Sequence, residues 1–368
     1  MVIGAGIIGC AVARELTSRS AQVHVLDSRQ VGQGATQASA GMLAPYTEAH
    51  DSGPLLELLV RSLDLYDGWI RDVLAESGLP VEYRRSGSLE VAADENAAVH
   101  LRSNGAGAGA SRCVWLDPAD ARRLEPALPP TIAGALSVPG HGYVAAQALT
   151  NALARAVVSG GGRVQGGTRV VAVDIRPGFV HLALDDGNSI RAEQIVIATG
   201  SWTPQLPGLY DEAPRQVRPV RGQLLRVRTV QPILSHVIWG EGCYLVPWAD
   251  GTVLIGATME EAGFEERNTV DAVRILLGAA ATLVPALSDA TFVEARSGLR
   301  PATADGLPII GRSPSSDRVF YATGHFRNGI LLAPLTGRLV ADLVLERRTD
   351  PGLEALSPGR TPLTSRVN

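Results

Sequence analysis

Apolar positions along the chain follow two periods, and the alternation between them predicts the order of elements. Met1-Val-Ile3 is a short apolar run that ends in glycines and reads as a buried strand. Ala11, Val12 and Leu16 lie on one helical face. Gln22-Val-His-Val-Leu26 then reads as a second strand, ending on Asp27. Leu58, Leu59, Leu63, Tyr66, Ile70 and Leu74 predict a helix from Leu55 to Ser77, stopped by Gly78-Leu-Pro80. Ser86 to Ala92 is a predicted strand, and Ala93 to Ala110 a polar helix running into a Gly-rich loop. Asp117-Pro-Ala-Asp120 is a capped helix start with Pro just inside it. After a Pro-rich turn, Ala133 to Val138 is a strand, and Ala145 to Ser159 an amphipathic helix. Arg163 to Gln165 and Arg169 to Ile175 are strands. Phe179–Leu184 and Ser189–Ala192 form a hairpin around Asp185-Asp-Gly187. Gln194-Ile-Val-Ile-Ala-Thr-Gly-Ser-Trp202 is a buried-type strand entering a Gly turn, expected to arrive beside the first strand. Gly222–Val227, Cys243–Pro247 and Val253–Gly256 read as antiparallel strands. Thr269–Leu283 is a helix, Phe292–Gly298 and Val319–Thr323 are strands, and Leu331–Leu345 is a long apolar helix.

Within this order the first stretch carries the most information. Gly4, Gly6 and Gly9 form G-x-G-x-x-G between the first strand and first helix. Gly4 permits a tight turn, Gly6 lets backbone approach a pyrophosphate, and Gly9 lets helix pack on strand, with the helix N-terminus facing phosphate charge. Asp27, 18 positions after Gly9, is placed to accept from ribose hydroxyls. Alone, such a motif often only joins strand to helix. Strand, helix, second strand and acid in order make it a dinucleotide site. The small-residue run from Gly32 to Leu43 is either a flexible loop or backbone lying close to a flat ligand.

These patterns predict an α/β fold: a Rossmann-like dinucleotide domain, discontinuous over 1–80, 140–215 and 290–350, with an inserted α+β substrate domain built on an antiparallel sheet (81–139 and 216–289). The Pro- and Ser-rich tail, 351–368, is expected to be poorly ordered.

Composition narrows the class. At 368 residues, 45% hydrophobic and 19% charged, the chain has room for two domains. A net charge of −4 gives no reason to expect nucleic acid or an anionic membrane as partner. All 33 basic residues are arginine, as a GC-rich coding bias would produce. Cys10, Cys113 and Cys243 are far apart, so neither a disulfide framework nor a metal site is expected, and a reducing, cytoplasmic location is. No run is long enough to span a bilayer, and no basic region precedes the first strand, so no signal peptide is expected. That strand starts abruptly, as if the natural chain began a few residues earlier.

Several segments together resemble the D-amino-acid oxidase superfamily of flavoproteins, and within it the glycine oxidases of the thiamine-pathway type. They are Val2 to Gly9, Ala40-Gly-Met-Leu43, Cys243-Tyr-Leu-Val-Pro247, Ala198-Thr-Gly200, Gly298-Leu-Arg-Pro301, Asp305-Gly306 with Ile310-Gly311, and Gly324 to Leu332 running on to Pro334. The resemblance spans nearly the whole chain in order, and its last segments are more specific than its first. It implies non-covalent FAD and a small amino-acid substrate. The reaction would be oxidative deamination of glycine, sarcosine or small D-amino acids by hydride transfer to flavin, with molecular oxygen reduced to hydrogen peroxide. A homo-oligomer, a tetramer by resemblance, is also implied.

Carried over residue by residue, the resemblance makes Arg300 the carboxylate clamp, Tyr244 its hydroxyl partner and Arg327 a second arginine at the flavin edge. A guanidinium fork suits a carboxylate because two parallel hydrogen bonds fit. The plain alternatives are an ion-pair arginine, a core tyrosine and a structural arginine. For FAD the matching positions are Ile7 and Ile8 at the pyrophosphate turn, and Asp27 and Ser28 at the adenosine ribose. Ala35 and Thr36, Ala40, Gly41 and Met42, Val170, Gly200, and His325, Phe326, Arg327, Asn328, Gly329, Ile330 and Leu331 complete the set. His325 is read as a flavin contact rather than a base, since a free amine needs none. The helix start after Gly324 is expected to aim its positive end at the flavin and stabilise the anionic reduced form.

Two departures stand out. The usual acid at position 27 is Glu, and Asp is shorter. Gly242 stands where some glycine oxidases carry a histidine, which puts strict glycine preference in doubt. A D-amino-acid oxidase of broader range is the nearest alternative. A sarcosine-type oxidase is disfavoured by the absence of lysine and of a late cysteine, and a quinone-linked dehydrogenase by the absence of an anchor. A non-catalytic FAD-binding protein would not need Arg300, Tyr244 and Arg327 together.

Overall fold

The computed structural model describes residues 1–49, 53–105, 112–346 and 348–360. Its first layer is a six-stranded sheet in the order Ile309–Arg312, Val319–Thr323, Ile195–Ile197, Val2–Ile3, His24–Leu26, Arg163–Gln165. All neighbours are parallel except the first two strands. The Gln194–Trp202 segment does arrive beside the first strand, with Val2 opposite Val196 and Ile3 opposite Ile197.

These strands are apolar on both faces because both faces are covered. On one side Val2, Val25 and Val196 pack with the Ile7–Ser18, Pro54–Ser77, Ala146–Ser159 and Gly329–Ala341 helices. On the other, Ile3, Leu26, Ile197 and Tyr321 pack against Val173, Val180 and Leu182 of a three-stranded antiparallel sheet, Val170–Arg176, Phe179–Leu184 and Ser189–Ala192.

The second large sheet has eight strands, in the order Thr291–Ala302, Arg218–Arg228, Thr252–Gly256, Cys243–Pro247, Val237–Gly240, Ser88–Ala92, Gly134–Val138, Val114–Leu116. All its pairs are antiparallel except Val237–Gly240 with Ser88–Ala92. The Val270–Leu283 helix covers one face through Leu276, Ala280 and Leu283. Leu224, Val246, Leu254 and the partly buried Tyr244 lie in a separate cluster with Tyr143 and Trp248.

Differences from the sequence reading have local causes. Thr291–Ala302, placed in the dinucleotide segment 290–350, is an edge strand of the antiparallel sheet, because eleven of its residues pair with Arg218–Arg228. Met42–Leu43, Tyr83–Arg84 and Gly142–Val144 form a small sheet of their own. Strands of two or three residues carry no readable period, and their pairing partners are distant in sequence. The polar helix predicted over 93–110 spans Glu95–Gly105, and 106–111 lie outside the described residues. The last long helix begins at Gly329, two residues earlier than expected, and ends at Ala341 in a π-type turn, Asp342–Glu346.

The tail is corrected over its described part. Leu353 and Leu356 are buried, Asp350 accepts from both Arg61 amino groups at 3.2 and 2.6 Å, and Arg360 makes a two-pronged ion pair with Asp305 at 2.8 and 3.0 Å. Asp305 is almost wholly screened from solvent, so this pair closes the strap on the parallel sheet. The two leucines supply the hydrophobic anchor that the Pro and Ser content masks. Among the described residues no helix is long and apolar enough to cross a membrane.

Candidate active site

A cleft of about 1040 Å³ is lined by residues from both large sheets. That lies at the upper end of the roughly 300–1,000 Å³ of common small-molecule pockets, so it has room for a dinucleotide and a small substrate.

One end is built by the N-terminal motif. Gly4 has φ +111°, a backbone state closed to other residues, and a Cβ there would strike the Ala198 carbonyl. A Cβ at Gly9 would strike the Gly4 carbonyl, so Gly9 serves helix-to-strand packing and does not line the cleft. Gly6 differs from both. A Cβ there would meet only the Thr36 hydroxyl, at 3.4 Å, so nothing in the protein itself requires glycine at this position. The Ile7 N–H donates to Thr36 Oγ1 at 3.1 Å, and the first-turn amides that follow have no intrahelical acceptor. This is an anion cradle of the kind a pyrophosphate fills.

Asp27 is fixed by accepting from the Ala5 N–H at 2.6 Å and the Arg29 N–H at 2.8 Å. Ser28, Ala35, Val170 and Gly200 line the same end. Sequence reading missed its cover. Arg29 lies over the Trp202 ring at 4.5 Å and donates to both Glu266 oxygens, at 3.1 and 2.6 Å.

Further along, Ala40, Gly41 and Met42 line one wall, and His325, Phe326, Asn328, Gly329 and Ile330 another. Leu331 does not line the cleft; it is buried in the helical core, where its carbonyl accepts from the Ser62 hydroxyl. His325 is buried, its Nε2 lies 3.1 Å from the Thr336 hydroxyl, and burial pushes its imidazolium down to about 3. It is neutral at physiological pH, and one ring nitrogen is already occupied. His141, also wholly buried and near Arg85, is likewise pushed down to about 3.

Both histidines take up protons more readily in the unfolded chain, whose value is near 6.5. Stability is therefore full above that pH and is lost as pH falls from 6.5 towards 3, by about 1.4 kcal/mol per pH unit for each fully linked histidine. We expect the urea midpoint to drop between pH 7 and pH 5, and to drop less in His141→Gln or His325→Gln.

The cleft also brings together Arg300, Tyr244 and Arg327, which the sequence places on three separate segments. Arg300 Nη1 donates to the Thr258 carbonyl at 3.0 Å and, more weakly, to the Arg221 carbonyl at 3.5 Å. The guanidinium also lies near the Tyr244 hydroxyl, where its positive charge favours the phenolate. Burial lowers its proton affinity and raises that of Tyr244, and an arginine stays charged regardless. Arg327 pairs with Glu48, Nε to Oε2 at 3.0 Å and Nη2 to Oε1 at 3.2 Å.

Two strand glycines make this arrangement possible. A Cβ at Gly222 would occupy the Arg300 guanidinium, and one at Gly256 the Tyr244 ring. The Arg300 clash falls on the end of a flexible side chain. Gly222→Ala is therefore expected to keep the melting temperature within a few degrees while lowering kcat/KM about tenfold to a hundredfold by moving the clamp.

The family described as FAD dependent oxidoreductase matches residues 1–343, and the chain belongs to it. Its relatives include the glycine oxidase of Geobacillus kaustophilus, 38% identical over 353 residues covering 95% of this chain and 93% of that protein. The bifunctional protein ThiO/ThiG of Synechocystis is 37% identical over 367 residues, 98% of this chain; the chain spans only about half of that relative, 53%. Among solved structures, the Geobacillus kaustophilus glycine oxidase superposes with a TM-score of 0.89 at 36% identity, covering 95% of each chain. The iminodiacetate oxidase of Chelativorans sp. BNC1 gives 0.86 at 29%, covering 97% and 98%.

Proposed function

We propose that this chain oxidises glycine and related small amino acids, sarcosine and small D-amino acids among them, with oxygen reduced to hydrogen peroxide. The observation that carries the reading is Arg300. It is half-buried, pinned by the Thr258 carbonyl, close to the Tyr244 phenol and without a carboxylate in ion-pair range among the described residues. A cation half-buried in a cleft with no anion of its own is a site for an anionic ligand group.

FAD, held without a covalent bond, supplies the hydride acceptor and the route to oxygen. The residues that would hold it are the first-turn amides after Gly6, Asp27 with Ser28, the Ala40–Met42 wall and the Phe326–Ile330 turn. The Gly329–Ala341 helix begins at that turn, and its positive end favours negative charge there.

Arg300 fixes the substrate carboxylate through its remaining N–H groups, and the Tyr244 hydroxyl donates a further bond. The carboxylate end being fixed, the Cα–H keeps one approach across the cleft. The amine enters unprotonated, so no side chain needs to act as a base. Gly242 lines the cleft beside Tyr244 at φ +78°, a turn conformation that itself favours glycine. The name of the relative, glycine oxidase, supports small amines on a glycine frame as the substrate class. A cytoplasmic homo-oligomer with a task in thiamine synthesis is the corresponding cellular reading, motivated by the ThiO/ThiG likeness.

Peroxide production by the yellow protein with glycine, sarcosine, D-alanine and D-proline tests this. Turnover of glycine or sarcosine upholds it. Turnover of bulky D-amino acids alone replaces it with a D-amino-acid oxidase of broader range.

A further inference from the structure

Two guanidiniums face the substrate end of the cleft, and their partners differ. Arg300 is held by two backbone carbonyls beside a phenol, none of which cancels its charge. Arg327 is matched fork to fork by Glu48, whose carboxylate is only 7% exposed.

Glu48 is itself held in place from behind. It ends the short Pro45–Glu48 turn. The Tyr46 N–H donates to His141 Nε2 at 3.4 Å, and the Tyr46 ring stacks on that imidazole at 5.6 Å and 11°. The Thr47 hydroxyl donates to the buried Glu90 carboxylate. A carboxylate so braced does not swing away when a ligand arrives, so the charge of Arg327 stays offset.

We propose that Glu48 is a specificity-determining residue: by occupying Arg327 it leaves Arg300 as the one guanidinium of the pair open to a carboxylate. The site then selects amines carrying one carboxylate over amines carrying two. This rests on the amino-acid oxidase reading above. A second carboxylate reaching Arg327 would meet a neutral pair with the Glu48 charge beside it, and would lose its hydration without a cation in return. Glu48→Gln keeps the size of the side chain but removes that charge and releases a full positive charge on Arg327.

The test is binding of malonate and acetate to the oxidised holoprotein, followed by perturbation of the flavin spectrum, in parallel with kcat/KM for glycine and for iminodiacetate or D-aspartate. In Glu48→Gln the malonate-to-acetate affinity ratio should rise at least about tenfold, and the dicarboxylate-to-glycine kcat/KM ratio with it. The double variant Glu48→Gln/Arg327→Gln should lose that gain. Arg327→Gln alone leaves Glu48 unpaired and should move the ratio the other way, which keeps the test decisive if Glu48→Gln does not retain FAD. An unchanged ratio in Glu48→Gln, or a gain that survives in the double variant, overturns the proposal. If no amine reduces the wild-type flavin, the oxidase reading falls, while the malonate-to-acetate ratio still decides the role of Glu48.

Discussion

Arg300→Ala is expected to lower kcat/KM for glycine about a thousandfold, chiefly through KM, while the protein stays yellow. The lost interaction is a charge-assisted pair inside a cleft. Truncating one partner of a buried charged pair costs about 2–5 kcal/mol, and about 4 kcal/mol is a thousandfold. The loss falls on KM because the carboxylate contact exists in the bound substrate as well as in the transition state. FAD stays because its dinucleotide cradle, around Gly6 and Asp27, is built without Arg300. Arg300→Lys separates charge from shape. It keeps the positive charge but not the fork, and a lysine cannot both hold the Thr258 carbonyl and present two parallel N–H groups. It should recover about tenfold of the loss. Steady-state kinetics on glycine, with the flavin-to-protein ratio measured for each variant, checks both.

The second large effect concerns the motif glycines, and the second and third should fail differently. In Gly9→Ala the new methyl meets backbone, the Gly4 carbonyl, which has no rotamer to change. Helix and strand must separate, at a cost of about 1–3 kcal/mol, and both stability and FAD binding suffer. In Gly6→Ala the methyl meets only Thr36 Oγ1 at ordinary contact distance. The apoprotein should melt within about 2 °C of the wild-type apoprotein, yet bind FAD at least about a hundredfold more weakly, because the methyl stands where the pyrophosphate must lie. Thermal melts of the apo forms and FAD titration by fluorescence quenching separate the cases. Equal FAD affinity in Gly6→Ala and wild type would remove the pyrophosphate from this cradle.

The N-terminal motif was legible because its meaning is local. Strand, turn, helix and acid lie within 27 consecutive residues, and each glycine has a nearby steric task. The crossing strand at Ile195–Ile197 was legible because a strand buried on both faces is a plain apolar run. Arg300, Tyr244 and Arg327 were reached through family resemblance; among 33 arginines no property of residue 300 alone distinguishes it. Glu48 was not legible. Its significance depends on a partner 279 residues away, and it follows a turn without periodic signal. Gly222 and Gly256 were read only as parts of strands, since the side chains they make room for belong to other strands of the sheet. The strap over 351–360 was misjudged because Pro and Ser content outweighed Leu353, Leu356 and Arg360, whose partners are also remote.

The central claim is that a small amino acid, anchored by Arg300, gives up a hydride to a flavin held in this cleft. Its most direct test is anaerobic mixing of the purified yellow protein with glycine and with sarcosine while the visible flavin absorbance is followed. The account predicts bleaching by at least one of them, and no bleaching at the same concentration in Arg300→Ala. A flavin that stays oxidised with both substrates, or bleaches equally fast without Arg300, would contradict it.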